Sequence, residues 1–268
     1  MSIFNMIQKD VIKKDFKPEN PEHPYRLKLL ACEIFYRELC MCAARAKNII
    51  DLQFLSQGLH DLKTEKMLER LQKEIDAVDP ERYSAILLGF ALCNNGIAGL
   101  QAREIPIVIP RAHDCIALFF GSRDSYDEYF KEYPGTYFKT TGWIERDHEN
   151  LEENSDEDLT VFGALKTFEQ FVEKYGEENA IYLMETMGGL KHYSRMAYID
   201  MPDLAPLPYD EETREQAEKT GLEFFRQTGD FSWLQNFADG PWDEKDYLIL
   251  QPGQTIVPSH NEDVIRAE

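Results

Sequence analysis

Between Pro110 and Ser122 the chain reads PRAHDCIALFFGS. Arg111, His113, Asp114 and Cys115 arrive within five positions, directly after the apolar run IPIVIP. A packed core has no use for so much polar chemistry. Two more thiols hold comparable places: Cys32 closes the apolar run RLKLLAC, and Cys93 closes YSAILLGFALC. Thiolates and imidazoles are the usual donors to zinc and other borderline metals. Cys32, Cys93, His113 and Cys115 make a four-ligand set. Without His113, three thiolates leave one position open, as a catalytic centre requires. There is no CxxC pair, so the spacing is not a diagnostic motif. Two thiolates on one tetrahedral zinc put the Cys93 and Cys115 sulfurs about 3.5–4 Å apart.

Glu33 and Asp114 adjoin these ligands and are candidates to orient them or to act as acid and base. Arg111 is a candidate to hold a substrate anion or to pair with Asp114. The CNNG turn, with Asn95 and Gly96, is expected to open a helix whose amides cradle an anion. Cys93, Arg111, His113 and Cys115 are together expected to line an open cleft. Cys40 and Cys42 fall in a helical pattern and read as small core hydrophobes. His60 reads as a helix cap, and His23, His148 and His260 as surface residues. METMGGLKHY, with Glu185 and His192, is a further strand-to-turn element.

The elements must bring these residues together. The runs at 27–32, 49–55, 83–90 and 106–110 read as strands. The first is followed by a helix in EIFYRELCMCAARAK, where Ile34, Phe35, Leu39 and Ala43 recur at helical spacing. The second is followed by a helix carrying Met67, Leu68, Leu71, Ile75 and Val78 on one face, and a short helix is expected over 97–102. This alternation predicts an α/β fold: a mostly parallel sheet with helices on both faces, open to a division into two Rossmann-like lobes. In such sheets ligands bind beyond the carboxyl ends of the strands. Those ends carry Cys32, His60 with Asp61, Cys93, and His113 to Cys115.

Further on, a helix is predicted over 123–133 and extended chain over 135–143. Beyond these the pattern predicts a helix over 160–174, strand AIYLMET, a long helix over 211–227 and a last strand in DYLILQPGQTI. The expected organisation is an arm over 1–24, a lobe over 25–148 with the Cys/His site, an acidic break over 149–160 and a second lobe over 161–268.

The net charge of −20 repels phosphate backbones, and no basic patch offsets it, which argues against a nucleic-acid partner. The N-terminal stretch lacks the apolar run of a signal peptide, and no window is apolar enough to span a bilayer. A cytoplasmic protein without a membrane partner is expected. In a reducing compartment, five cysteines point to metal or thiol chemistry rather than disulfides.

The combination of ACE after the first strand, GLHD, GFALCNNGIAGL, PRAHDCIALFFGS, PGTYFKTTGW and PGQTI resembles the family of domain of unknown function 1638, over about residues 27–256. PRAHDC is the most specific block. The resemblance implies a context of methanogens and anaerobes, where corrinoid and one-carbon methyl transfer are common. It points to Cys32, Glu33, Cys93, His113, Asp114 and Cys115 as the site.

The resulting expectation is a metalloenzyme holding zinc or iron and acting on a small anionic or thiol substrate. The alternatives are a metal or corrinoid accessory protein without turnover, partnered by a corrinoid protein or methyltransferase, and an iron–sulfur protein.

Overall fold

Four apolar runs become the strands that carry the candidate site: β1 (Arg26–Cys32), β2 (Ile49–Leu55), β3 (Ala85–Gly89) and β4 (Ile107–Pro110). A computed structural model describes residues 16, 24–56, 59, 64–93, 95–146, 193–259 and 261–268. The strands lie in the order β2-β1-β3-β4 and are all parallel. β3 and β4 are buried throughout, which is why they read as continuous apolar runs instead of alternating ones. A 3₁₀ turn (Glu33–Phe35) and α1 (Tyr36–Arg45) join β1 to β2, and α2 (Thr64–Asp76) precedes β3. The crossover from β1 to β2 runs one way along the sheet, and that from β2 to β3 returns over β1. Right-handed crossovers in opposite directions put α1 and α2 on opposite faces. The order therefore reverses between β1 and β3, where an open α/β sheet forms its crevice.

After a second 3₁₀ turn (Cys115–Phe119), α3 (Arg123–Glu132) leads into a separate parallel sheet, β5-β6-β7. It is made of β5 (Thr136–Thr140), β6 (Arg195–Asp200) and β7 (Glu223–Thr228), with α4 (Tyr209–Thr220) before β7. α5 (Ser232–Asp239) then packs on α1, and β8 (Tyr247–Leu250) joins the first sheet antiparallel to β4. β9 (Ile256–Pro258) and β10 (Ile265–Ala267) form an antiparallel pair. Asn48 ties the return: its Nδ2 donates to the carbonyls of Ala238 (2.9 Å) and Asp239 (3.2 Å).

Several expectations are corrected. No helix forms over 97–102. Gly99 takes φ 98, and the amides of Gly99 and Ala102 bond the carbonyls of Ile256 and Gln254 instead of an upstream helical turn. The helix expected to reach 227 stops at Thr220, because Gly221 adopts φ 72 and GLEFFRQT continues as β7. The extended run from 135 ends at Thr140 and helical backbone follows over 141–146. There Gly142 lies against the Ile34 carbonyl with no room for a β-carbon. The sheets also divide the chain differently from the expected lobes 25–148 and 161–268: β5 belongs to the second sheet and β8 to the first.

The expectations for the arm before Phe16, for His23, His60, Asp61 and His148, for 149–160, 160–174 and 180–186, and for Glu185, the Gly188-Gly189 turn, His192 and His260 lie outside the described residues. Among the described residues, no helix is long and apolar enough to cross a membrane.

Candidate functional site

Backbone pairing between β3 and β4 continues past the ends of both strands. The amide of Leu92 donates to the Ala112 carbonyl and that of Cys93 to the His113 carbonyl, both at 3.0 Å. This zipper delivers Cys93 to the start of the second 3₁₀ turn, and its Sγ stands 3.5 Å from Cys115 Sγ. Cys32 closes β1 next door. The two 3₁₀ turns that follow Cys32 and begin at Cys115 stack on each other through Phe35 and Phe119, ring centroids 4.9 Å apart. Cys32 and Cys115 are buried and Cys93 is half-buried.

The thiols of Cys32 and Cys93 feel their neighbours. Burial pushes the Cys32 thiol well up, and the charge of Cys115 adds to this. The amides of Ile34 and Glu33, which bond its sulfur, oppose the shift. For Cys93 the bond with Cys115 is the largest upward influence. Burial and the charges of Cys115, Cys32 and Asp114 follow. Ionising either thiol therefore requires a compensating positive charge. The Cys93–Cys115 spacing is that of two thiolates on one tetrahedral ion. Among the described residues, no three His, Cys, Asp or Glu side chains stand at metal-ligand spacing.

Cys93 has φ 40 and Asn95 φ 66, in the left-handed region that costs a residue with a β-carbon about 1–2 kcal/mol. Residues held there cluster at functional sites. The expected anion cradle is corrected. Gly96 turns its amide inward to the carbonyls of Leu92 (2.9 Å) and Cys93 (3.0 Å), and packs on Met67 of α2, while Asn95 is exposed.

The charged candidates are placed elsewhere. Arg111 donates through Nε to the Tyr247 carbonyl (3.2 Å) and through Nη1 to those of Asp263 (2.9 Å) and Ile265. It thus fastens the C-terminal segment to β4, and neither holds an anion at the thiols nor pairs with Asp114. Asp114 caps the second 3₁₀ turn, accepting from the Ala117 amide (3.1 Å), and accepts from the Tyr126 hydroxyl (2.8 Å). Glu33 Oε2 lies 3.9 Å from Arg146 Nε. His113 is exposed and takes part in the zipper through its backbone. An open cleft formed jointly by Cys93, Arg111, His113 and Cys115 is therefore not what these placements describe. Cys42 is a core thiol, pushed up to about 12 first by burial.

A family model described as "Protein of unknown function (DUF1638)" matches residues 54–238, more than half of the chain. The chain belongs to the DUF1638 family. The span runs from the end of β2 to α5, so Cys93, His113, Asp114 and Cys115 lie inside it and Cys32 and Glu33 before it. No curated protein and no solved structure matches the chain.

One residue of this DUF1638 protein escaped the sequence reading. Glu38 is fully buried in α1, and neither carboxyl oxygen has a hydrogen-bond partner among the described residues. Burial pushes its carboxyl up to about 7; its own backbone amide and Arg37 oppose this, and Glu145 adds to it. The signal was present: Phe35, Glu38, Leu39 and Cys42 share one helical face, so a carboxylate interrupts an apolar stripe.

Proposed function

We propose that this protein is a metalloenzyme whose Cys93–Cys115 pair, joined by Cys32, holds a zinc ion and acts on a small thiol or anionic substrate. The carrying observation is the 3.5 Å approach of the two sulfurs, at the edge where a parallel sheet reverses its order. Cys32 and Cys93, whose thiols are pushed up by burial and by Cys115, stand with Cys115 as a donor set suited to a cation. Zinc in such a set lowers the pKa of a bound thiol or water and polarises an oxygen. The chain's own parts have separate tasks. The β3–β4 zipper fixes the pair, the Glu33 and Ile34 amides stabilise negative charge on Cys32, and Asp114 with Tyr126 fixes the turn carrying Cys115. A place in anaerobic one-carbon metabolism, beside a corrinoid protein or methyltransferase, belongs to this proposal through the family resemblance.

The test is metal analysis of anaerobically purified protein. Cys93→Ser and Cys115→Ser should each lose the bound metal, and Cys42→Ser should keep it. Equal metal content in all three variants would defeat the assignment.

A further inference from the structure

We infer that the concavity between the carboxyl end of β2 and α2 binds a phosphoryl group of a small molecule and presents that molecule to the thiol centre. The second half of this statement rests on the proposed function; the binding site itself does not. A cavity of about 450 Å³ opens there, within the range usual for small-molecule sites, about 300–1,000 Å³. Leu55 and Ser56 line one side. Lys66, Arg70 and Lys73 line the other, with Glu69 among them. The three basic residues recur at i, i+4 and i+7, so they stack along one face of α2.

Among the described residues, their charges are not neutralised by close carboxylates. With 49 acidic against 29 basic residues, carboxylates are abundant. Arg26, Arg37, Arg82, Arg103, Arg226 and Lys245 each reach one within 3.0 Å. Lys66 and Lys73 have no ion pair among the described residues, and Arg70 meets Glu74 only through Nε, at 3.5 Å. Among the described residues, three cations and one carboxylate thus line a single concavity in a protein of net charge −20. A multiply charged anion relieves their mutual repulsion. Two ammonium point charges beside one guanidinium fork suit a tetrahedral dianion better than a planar carboxylate, which favours a bidentate arginine.

Two links lead from the cavity toward the thiols. Leu55 is the register partner of Cys32 on the neighbouring strand, at a strand spacing of about 4.8 Å. Met67, next to Lys66, packs on Gly96 in the turn that begins at Cys93. Arg111, the anion holder expected from sequence, is occupied by carbonyls, whereas Lys66 and Lys73 on this face of α2 have no ion pair among the described residues.

The experiment is calorimetric titration of the full chain with inorganic phosphate at low ionic strength, with metal content measured on every sample. Saturable one-to-one binding is expected in the wild type. It should weaken at least about tenfold, roughly 1.4 kcal/mol, in Lys66→Ala/Lys73→Ala. The control Lys47→Ala/Lys131→Ala removes the same charge elsewhere and should bind like wild type. Absence of binding in the wild type, or equal weakening in the control, overturns the inference. Phosphate binding by protein devoid of metal would sustain the anion site and sink the metal reading; metal without phosphate binding would do the reverse.

Discussion

The two ends of the first sheet treat their polar groups in opposite ways. Near the amino ends of the strands, Asp51 accepts from Arg26 (3.0 Å), Arg82 (2.9 Å) and the Tyr83 hydroxyl (2.8 Å). Burial pushes its carboxyl up, but these bonds and the arginine charges outweigh burial and hold it below its usual range. At the carboxyl ends, Cys115 makes ionisation of Cys32 and Cys93 harder, and Cys32 adds to this at Cys93. The first cluster is complete in itself. The second favours neutral thiols, and ionising them calls for a compensating positive charge. Self-satisfied polar groups serve stability, whereas groups whose fields add up are characteristic of binding and catalysis.

Glu38 sharpens this contrast, and its effect on stability is the largest expected. Its folded pKa is raised to about 7 from 4.5. The native state keeps a proton between those values that the unfolded chain has lost, so stability falls as pH rises through that window, by about 3 kcal/mol in total. Glu38→Gln should remove that loss. Denaturant unfolding should find the variant more stable than wild type above pH 7, with the gain gone by pH 4.5. An unchanged pH profile would mean that Glu38 has a partner in solution.

Breaking the amino-end cluster should cost somewhat less. Asp51→Asn deprives two arginines and a tyrosine of their acceptor, and should destabilise the protein by about 2 kcal/mol at neutral pH. The sign with pH is opposite to that of Glu38. Asp51 has a depressed folded pKa, so its contribution is present above the ordinary carboxylate range and is lost as pH falls through the lowered value. The gap between wild type and variant should close in acid. A gap that persists there would show that packing, and not charge, is what Asp51 contributes.

The smallest stability effect should come from the carboxyl end. Cys93→Ser keeps the backbone zipper to His113 and should change stability in metal-free protein by no more than about 1 kcal/mol. Thermal unfolding of chelator-treated wild type and variant checks this. A large drop would make the thiol pair a structural staple and erase the contrast between the two ends.

Much of this was legible along the chain. Four apolar runs separated by helical patterns implied a parallel sheet, because strands covered on both faces lose the alternation of a half-exposed one. Strand ends followed by Cys32, Cys93 and Cys115 implied that those thiols share an edge. The helix expected over 97–102 failed because distant carbonyls, those of Ile256 and Gln254, claimed amides that a local helix needs. β7 was missed because EFFRQT offers only six residues after a strong helix, and the stop depends on the left-handed conformation of Gly221.

By itself, then, the sequence determined the α/β class, the parallel order of approach and the identity of the thiols, since these follow from local periodicity and from which residues end each strand. Tertiary structure alone decided what the charged neighbours do. Arg111 went to the C-terminal carbonyls, Asp114 to a cap and Tyr126, and Glu33 toward Arg146. A thiol at a strand end is positioned by its own strand. A long charged side chain pairs with whatever donor or acceptor folding brings within reach, and here those partners lie up to 154 residues away along the chain.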